Sequence, residues 1–163
     1  MDCHKNNGCA YVLWGEYFDD VLATVFASAL RQAGWRTRLI GLQGVTHTGR
    51  YGNTLVADIP LGTALRNKEP IVCIVAPCAP EQLDTEGDIR LGDLLQRAAC
   101  EQAVFVAKPH LVGDRNRRWP PAGHVISENP DEVLPLLHLL IEQLENAHCS
   151  GNRMGDPPSL QLR

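Results

Sequence analysis

Short, unbroken apolar runs punctuate the chain, and polar stretches rich in glycine and proline separate them. Ala10 to Trp14 (AYVLW) is too short for a helix and predicts a buried strand. Thr37 to Leu42 (TRLIGL) predicts a second strand, and Thr54 to Asp58 (TLVAD) a short third. Ile71 to Pro77 (IVCIVAP) is rich in β-branched residues and bounded by prolines, the pattern of a strand buried on both faces of a parallel sheet. Ala103 to Ala107 (AVFVA) repeats that pattern and is closed by Lys108-Pro109; His124 to Ser127 (HVIS) predicts a last short strand.

Helical spacing fills the intervals. Val21, Leu22, Val25, Phe26, Ala29 and Leu30 form one apolar face, with Asp19 and Asp20 at the acidic N-terminus and Gly34 as the stop. Asp88 to Cys100 predicts a second helix. A third starts with Asn129 as N-cap and Pro130 in the first turn, and its Pro135 is expected to cost a bond or a bend. Residues 43–53 (QGVTHTGRYGN) read as loop or hairpin, and 59–65 as a loop with room for one helical turn.

Strands alternating with helices predict an α/β fold: a doubly wound, mostly parallel sheet with helices on both faces, a flavodoxin-like three-layer sandwich. It occupies residues 10–148, between a flexible segment, 1–9, and a polar tail, 149–163, expected to be disordered. Ligands in such sheets bind outside the carboxyl ends of the strands. That directs attention to Gly15–Asp20, Pro77–Pro80 and the chain from Lys108 onward.

Composition narrows the partners. Fifteen Lys and Arg against 19 Asp and Glu give a net charge of −4 over 163 residues, which argues against a nucleic-acid binder. No apolar run approaches the ~18–20 residues of a membrane span. The six cysteines are the one oddity: Cys3, Cys9, Cys73, Cys78, Cys100 and Cys149. No apolar segment of a secretory leader follows Met1, so they are read as reduced thiols of a cytoplasmic protein. Cys73 is assigned to the core and Cys100 to the core or its boundary. Cys3, Cys9 and Cys149 fall in or beside the tails.

Only Cys78 falls at the carboxyl edge of the sheet. It is the candidate nucleophile, with Asp19 and Asp20 beside it, and Lys108 and His110 near the same edge. Arg115, Arg117, Arg118 and Trp119 place guanidiniums next to an aromatic ring, a set suited to phosphate or an acidic partner. No Gly-x-Gly-x-x-Gly or Walker-type loop accompanies them, so no cofactor is expected. Cys3, His4 and Cys9 match no closed zinc pattern, and no metal site is assigned. His47 and His124 read as solvated loop residues, and His138 as a half-buried packing residue.

The order strand, acidic turn, helix, Ala33-Gly34, strand, Gly41-Leu42-x-Gly44 resembles the N-terminal half of the ThiJ/PfpI family of class I glutamine-amidotransferase-like proteins. TGRYGNTLVADIPLGTAL, IVCIVAP and GDLLQRAACEQAVFVAKP are similar to that family's succeeding segments, so the likeness runs from Tyr11 to Pro109. It implies the same sandwich and a homo-oligomer. In the family's enzymes an elbow cysteine is activated by an acid after the first strand, and a Pro-Gly-Gly loop lends backbone donors to an oxyanion. At the corresponding positions this chain has Val106, Leu22 and Pro77-Cys78-Ala79. The resulting expectation is a catalytically silent binding or regulatory module, with a protein partner or a small acidic ligand. One alternative is a cysteine-dependent enzyme whose nucleophile has moved to Cys78. Another is a pseudo-receiver domain, since VAKP is also similar to a receiver's Lys-Pro strand end.

Overall fold

A computed structural model describes residues 8–83, 88–109 and 123–151. Its main sheet contains β1 (Cys9–Trp14), β2 (Arg36–Gly41), β5 (Ile59–Pro60), β6 (Ile71–Ala76), β7 (Val104–Ala107) and β8 (His124–Val125). Their order across the sheet is β5-β2-β1-β6-β7-β8, and every neighbouring pair is parallel. The helices are α1 (Asp20–Gln32), α2 (Leu61–Arg66), α3 (Ile89–Cys100) and α4 (Val133–Gly151). This is the doubly wound sandwich read from the apolar runs.

The winding explains the two covered faces. The β1-α1-β2 crossover steps one way along the sheet and β6-α3-β7 the other. Right-handed crossovers therefore put α1 and α3 on opposite faces. In agreement, α1 contacts α4 while α2 contacts α3. The winding reverses between β1 and β6, the place where such a sheet opens a crevice at its carboxyl ends. Both central strands are buried, β1 at every residue.

Helix α1 starts where its acidic turn predicts. Asp19 is the N-cap, its Oδ1 accepting the Leu22 N–H at 2.9 Å. It stops at Gly34, whose φ of 87° lets the Trp35 N–H reach back to the Leu30 carbonyl.

The boundaries shift in places. Cys9 belongs to β1 and is fully buried, although the sequence placed it in the flexible segment. Helix α4 runs to Gly151, past the expected end at 148. A 3-10 turn, Pro130–Glu132, precedes α4, so Pro135 falls in the α-helix's first turn, where its missing N–H has no intrahelical partner to lose. The lost hydrogen bond expected there therefore does not arise. Residues 43–53 contribute one arm of a hairpin, β3 (Thr46–Thr48) paired antiparallel with β4 (Thr54–Val56). Ile59 and Pro60 pair with β2 as an edge strand before α2, instead of forming a loop.

Four side chains lie elsewhere than expected, among them His124, read as a solvated loop residue but half-buried on β8. Cys100 is exposed, because it ends α3 on the solvent side. His138 is exposed on α4. His47 is buried under the hairpin, with Nδ1 3.0 Å from Glu16 Oε1 and Nε2 3.3 Å from the Gly44 carbonyl. No helix among the described residues is long and apolar enough to cross a membrane.

Candidate functional site

Three strand ends and one hairpin loop meet at the switch point. The turn after β1 carries Tyr17 and Asp19, the turn after β6 carries Pro77, Cys78 and Ala79, and Lys108 follows β7. The Asp19 N–H donates to the Pro77 carbonyl at 2.8 Å and so ties the first two turns together.

The adjacent acidic residues of the sequence have separate tasks. Asp19 caps α1 through Oδ1, while its Oδ2 lies 3.7 Å from Lys108 Nζ, beyond hydrogen-bond distance. Asp20 is buried and points the other way, into the loop between β3 and β4. It accepts the Tyr51 N–H at 3.1 Å, the Asn53 N–H at 3.0 Å and Asn53 Nδ2 at 2.6 Å. Burial pushes its carboxyl up, but these three donors more than offset that and hold it below the usual carboxylate range. Gly49 fits only without a side chain, since a Cβ there would lie 2.5 Å from Asp20 Cβ. The Arg50 N–H donates to the Phe18 carbonyl at 2.8 Å. The clamp thereby sets Arg50 over the crevice, where its guanidinium lies 5.6 Å from the Tyr51 ring centroid.

Cys78 is 1% exposed and packs with the core. Burial pushes its thiol well above the ordinary cysteine value, and nearby Lys108 offsets only part of the shift. Cys73, inside β6, is pushed up to about 12 by burial alone. The Ala79 N–H donates to Gln82 Oε1 at 2.9 Å. Gln82 Nε2 donates onward to the Tyr17 carbonyl at 2.7 Å. Tyr17 sits at a φ of 61°, a left-handed conformation that costs a non-glycine residue about 1–2 kcal/mol. This bond and that from the Tyr17 N–H to the Thr48 carbonyl, 3.0 Å, hold it there. Val106, at the elbow position, is an inner residue of β7 and fully buried.

Two cavities open here. The smaller, about 270 Å³, reaches Cys78, Ala79 and Gln82. The larger, about 570 Å³, runs between α1 and the start of α4. Asp19, Arg50 and Lys108 line both, which marks where the two meet. Neither is lined by a histidine among the described residues. His124 is half-buried on β8, 2.5 Å from Gln143 Oε1.

The structure thus brings Asp19, Lys108 and Cys78 together, and turns Asp20 away into the hairpin loop. His110, Arg115, Arg117, Arg118 and Trp119 lie outside the described residues, as do Cys3 and His4. Among the described residues no group of three metal-ligating side chains occurs. Sequence reasoning missed Arg50 and Gln82. Arg50 had a signal, an arginine flanked by turn glycines in TGRYGN; Gln82 had none.

Sequence comparison finds neither a matching family model nor a matching curated protein. Solved structures do match. Toxoplasma gondii DJ-1 in its oxidized form superposes with a TM-score of 0.66 at 13% identity, covering 91% of this chain and 100% of the other. A DJ-1 superfamily protein from Salmonella typhimurium gives 0.65 at 13%, covering 92% and 99%. A ThiJ/PfpI domain protein from Brachyspira murdochii gives 0.62 at 13%, covering 86% and 97%. The fold is therefore that of the DJ-1 and ThiJ/PfpI proteins. The central order β2-β1-β6-β7-β8 is also that of receivers. This chain adds the β3–β4 hairpin and the edge strand β5 to that order.

Proposed function

We propose that the chain is a catalytically silent binding module on a DJ-1-type scaffold, whose crevice holds a small acidic ligand between Lys108 and Arg50. One observation carries this reading: both cations line both cavities, and Lys108, although ion-paired with Asp19 at 3.7 Å, makes no hydrogen bond within that pair, so its N–H groups can still donate to an anion. Asp19 is engaged as the cap of α1, and among the described residues the Arg50 guanidinium contacts the Tyr51 ring.

The chemistry of the crevice supports silence. A cysteine nucleophile works as the thiolate, and burial favours the thiol at Cys78. The Ala79 amide that would serve an oxyanion is occupied by Gln82. A moved nucleophile would need a base near Cys78, and among the described residues no side chain hydrogen-bonds to it.

Calorimetric titration with propionate tests the binding half. Arg50→Ala or Lys108→Met is expected to weaken binding about tenfold or more, the loss of one charge-assisted bond. Unchanged affinity in both variants overturns the reading. Turnover of small aldehydes or amides that Cys78→Ala abolishes would overturn the silent half.

A further inference from the structure

The larger cavity has two unlike ends. Asp19, Arg50 and Lys108, which it shares with the smaller cavity, mark the charged end. Away from them one wall is aliphatic, with Val21, Leu22 and Val25 on α1 and Val133 and Leu134 opening α4, while Ser127 and Glu128 add a polar rim. Val21 is 50% exposed and Leu134 62%, so large apolar side chains stand uncovered at its mouth. A volume of about 570 Å³ is in the range of small-molecule sites.

We infer that this cavity takes an amphipathic monoanion, an aliphatic carboxylate with its head at Lys108 and Arg50 and its chain along Leu22, Val25 and Leu134. The inference rests on the anion-binding reading above and adds the chemical class of the ligand. Charge selects a single anionic group. Asp19 already balances part of the positive charge of Lys108 and Arg50, and Glu128 also lines the cavity, so a second negative charge on the ligand would find no cation to offset it among the described lining residues. The aliphatic wall selects the chain, because each methylene it buries strengthens binding about fourfold.

Leu22 links this site to the loss of catalysis. It stands where the resemblance puts the family's activating acid. A carboxylate there would repel the ligand's head and break the apolar wall. The leucine removes the acid and completes the wall in one exchange.

The test is calorimetry with propionate, hexanoate and octanoate, and with octanol and octylamine as uncharged and cationic controls. Affinity should rise about fourfold per methylene along the carboxylates, and octanol and octylamine should bind about tenfold or more weaker than octanoate. Leu22→Glu should lower octanoate affinity by about tenfold or more. Leu22 is half-buried against the core, so circular dichroism checks the fold of that variant, and Leu134→Ser supplies a second one. Leu134→Ser, at an exposed position, should flatten the chain-length series and leave propionate unchanged. Equal affinities for propionate and octanoate, with propionate still dependent on Arg50, would overturn this inference and leave the anion site standing. Octanol binding as tightly as octanoate, or no carboxylate binding at all, would overturn both.

Discussion

Asp19 and Asp20 are neighbours in sequence, yet one peptide bond separates a helix cap from a loop clamp. The sequence offered both as partners for a nucleophile. It could not separate them, because what an aspartate accepts is decided by which N–H groups the fold brings to it. Asp20 finds three donors. Asp20→Asn would turn an amide nitrogen toward them, so equilibrium denaturation should show a loss of roughly 2–3 kcal/mol at neutral pH. The pH dependence has a definite sign. Asp20's folded value lies below its unfolded one, so its contribution is complete above about pH 4 and falls away as pH drops through the folded value. Asp20→Asn should therefore flatten the acid limb of the stability profile; an unchanged acid limb would remove the clamp from the account.

At the scale of elements, legibility followed length and continuity. The predicted strands at Ala10–Trp14 and Ile71–Pro77 match β1 and β6 to within a residue, and Asp88–Cys100 matches α3 as closely. The two-residue β5 and three-residue β3 had no period to read, whereas β4 was legible within Thr54–Asp58. They exist through distant contacts: Ile59 pairs with Ile40, and Trp14 Nε1 donates to the Leu55 carbonyl. His47 was misread for the same reason, since loop and hairpin both fitted residues 43–53 and its burial depends on how the hairpin packs. The hairpin loop approaches α1 closely at Gly49. Gly49→Ala places a methyl against Asp20 and Trp14 and should destabilise the protein by about 1–3 kcal/mol, measured by thermal or denaturant unfolding. A neutral substitution would mean that the loop can move away and does not fix Arg50.

At the scale of the whole molecule, the fold is that of the DJ-1 and ThiJ/PfpI proteins. The fold was legible because buried strands leave continuous apolar runs. The site was legible in part. Cys78 and Lys108 stand at the carboxyl ends where the winding reverses, as the strand positions implied. Arg50 arrives from a hairpin, and the apolar wall arises only when α4 packs on α1, so neither was visible along the chain.

Burial is what sets the cysteines apart. Cys9, Cys73 and Cys78 are buried, while Cys100 and Cys149 end helices in solvent. Residue-resolved alkylation of the native protein at neutral pH, read by mass spectrometry, tests the silent crevice most directly. Cys100 and Cys149 should be modified at the rate of free thiols, and Cys78 as slowly as Cys73, reacting only when the protein unfolds. A native Cys78 alkylated faster than a free thiol would contradict the account, because it would place a stabilised thiolate where the fold is argued to bind without reacting.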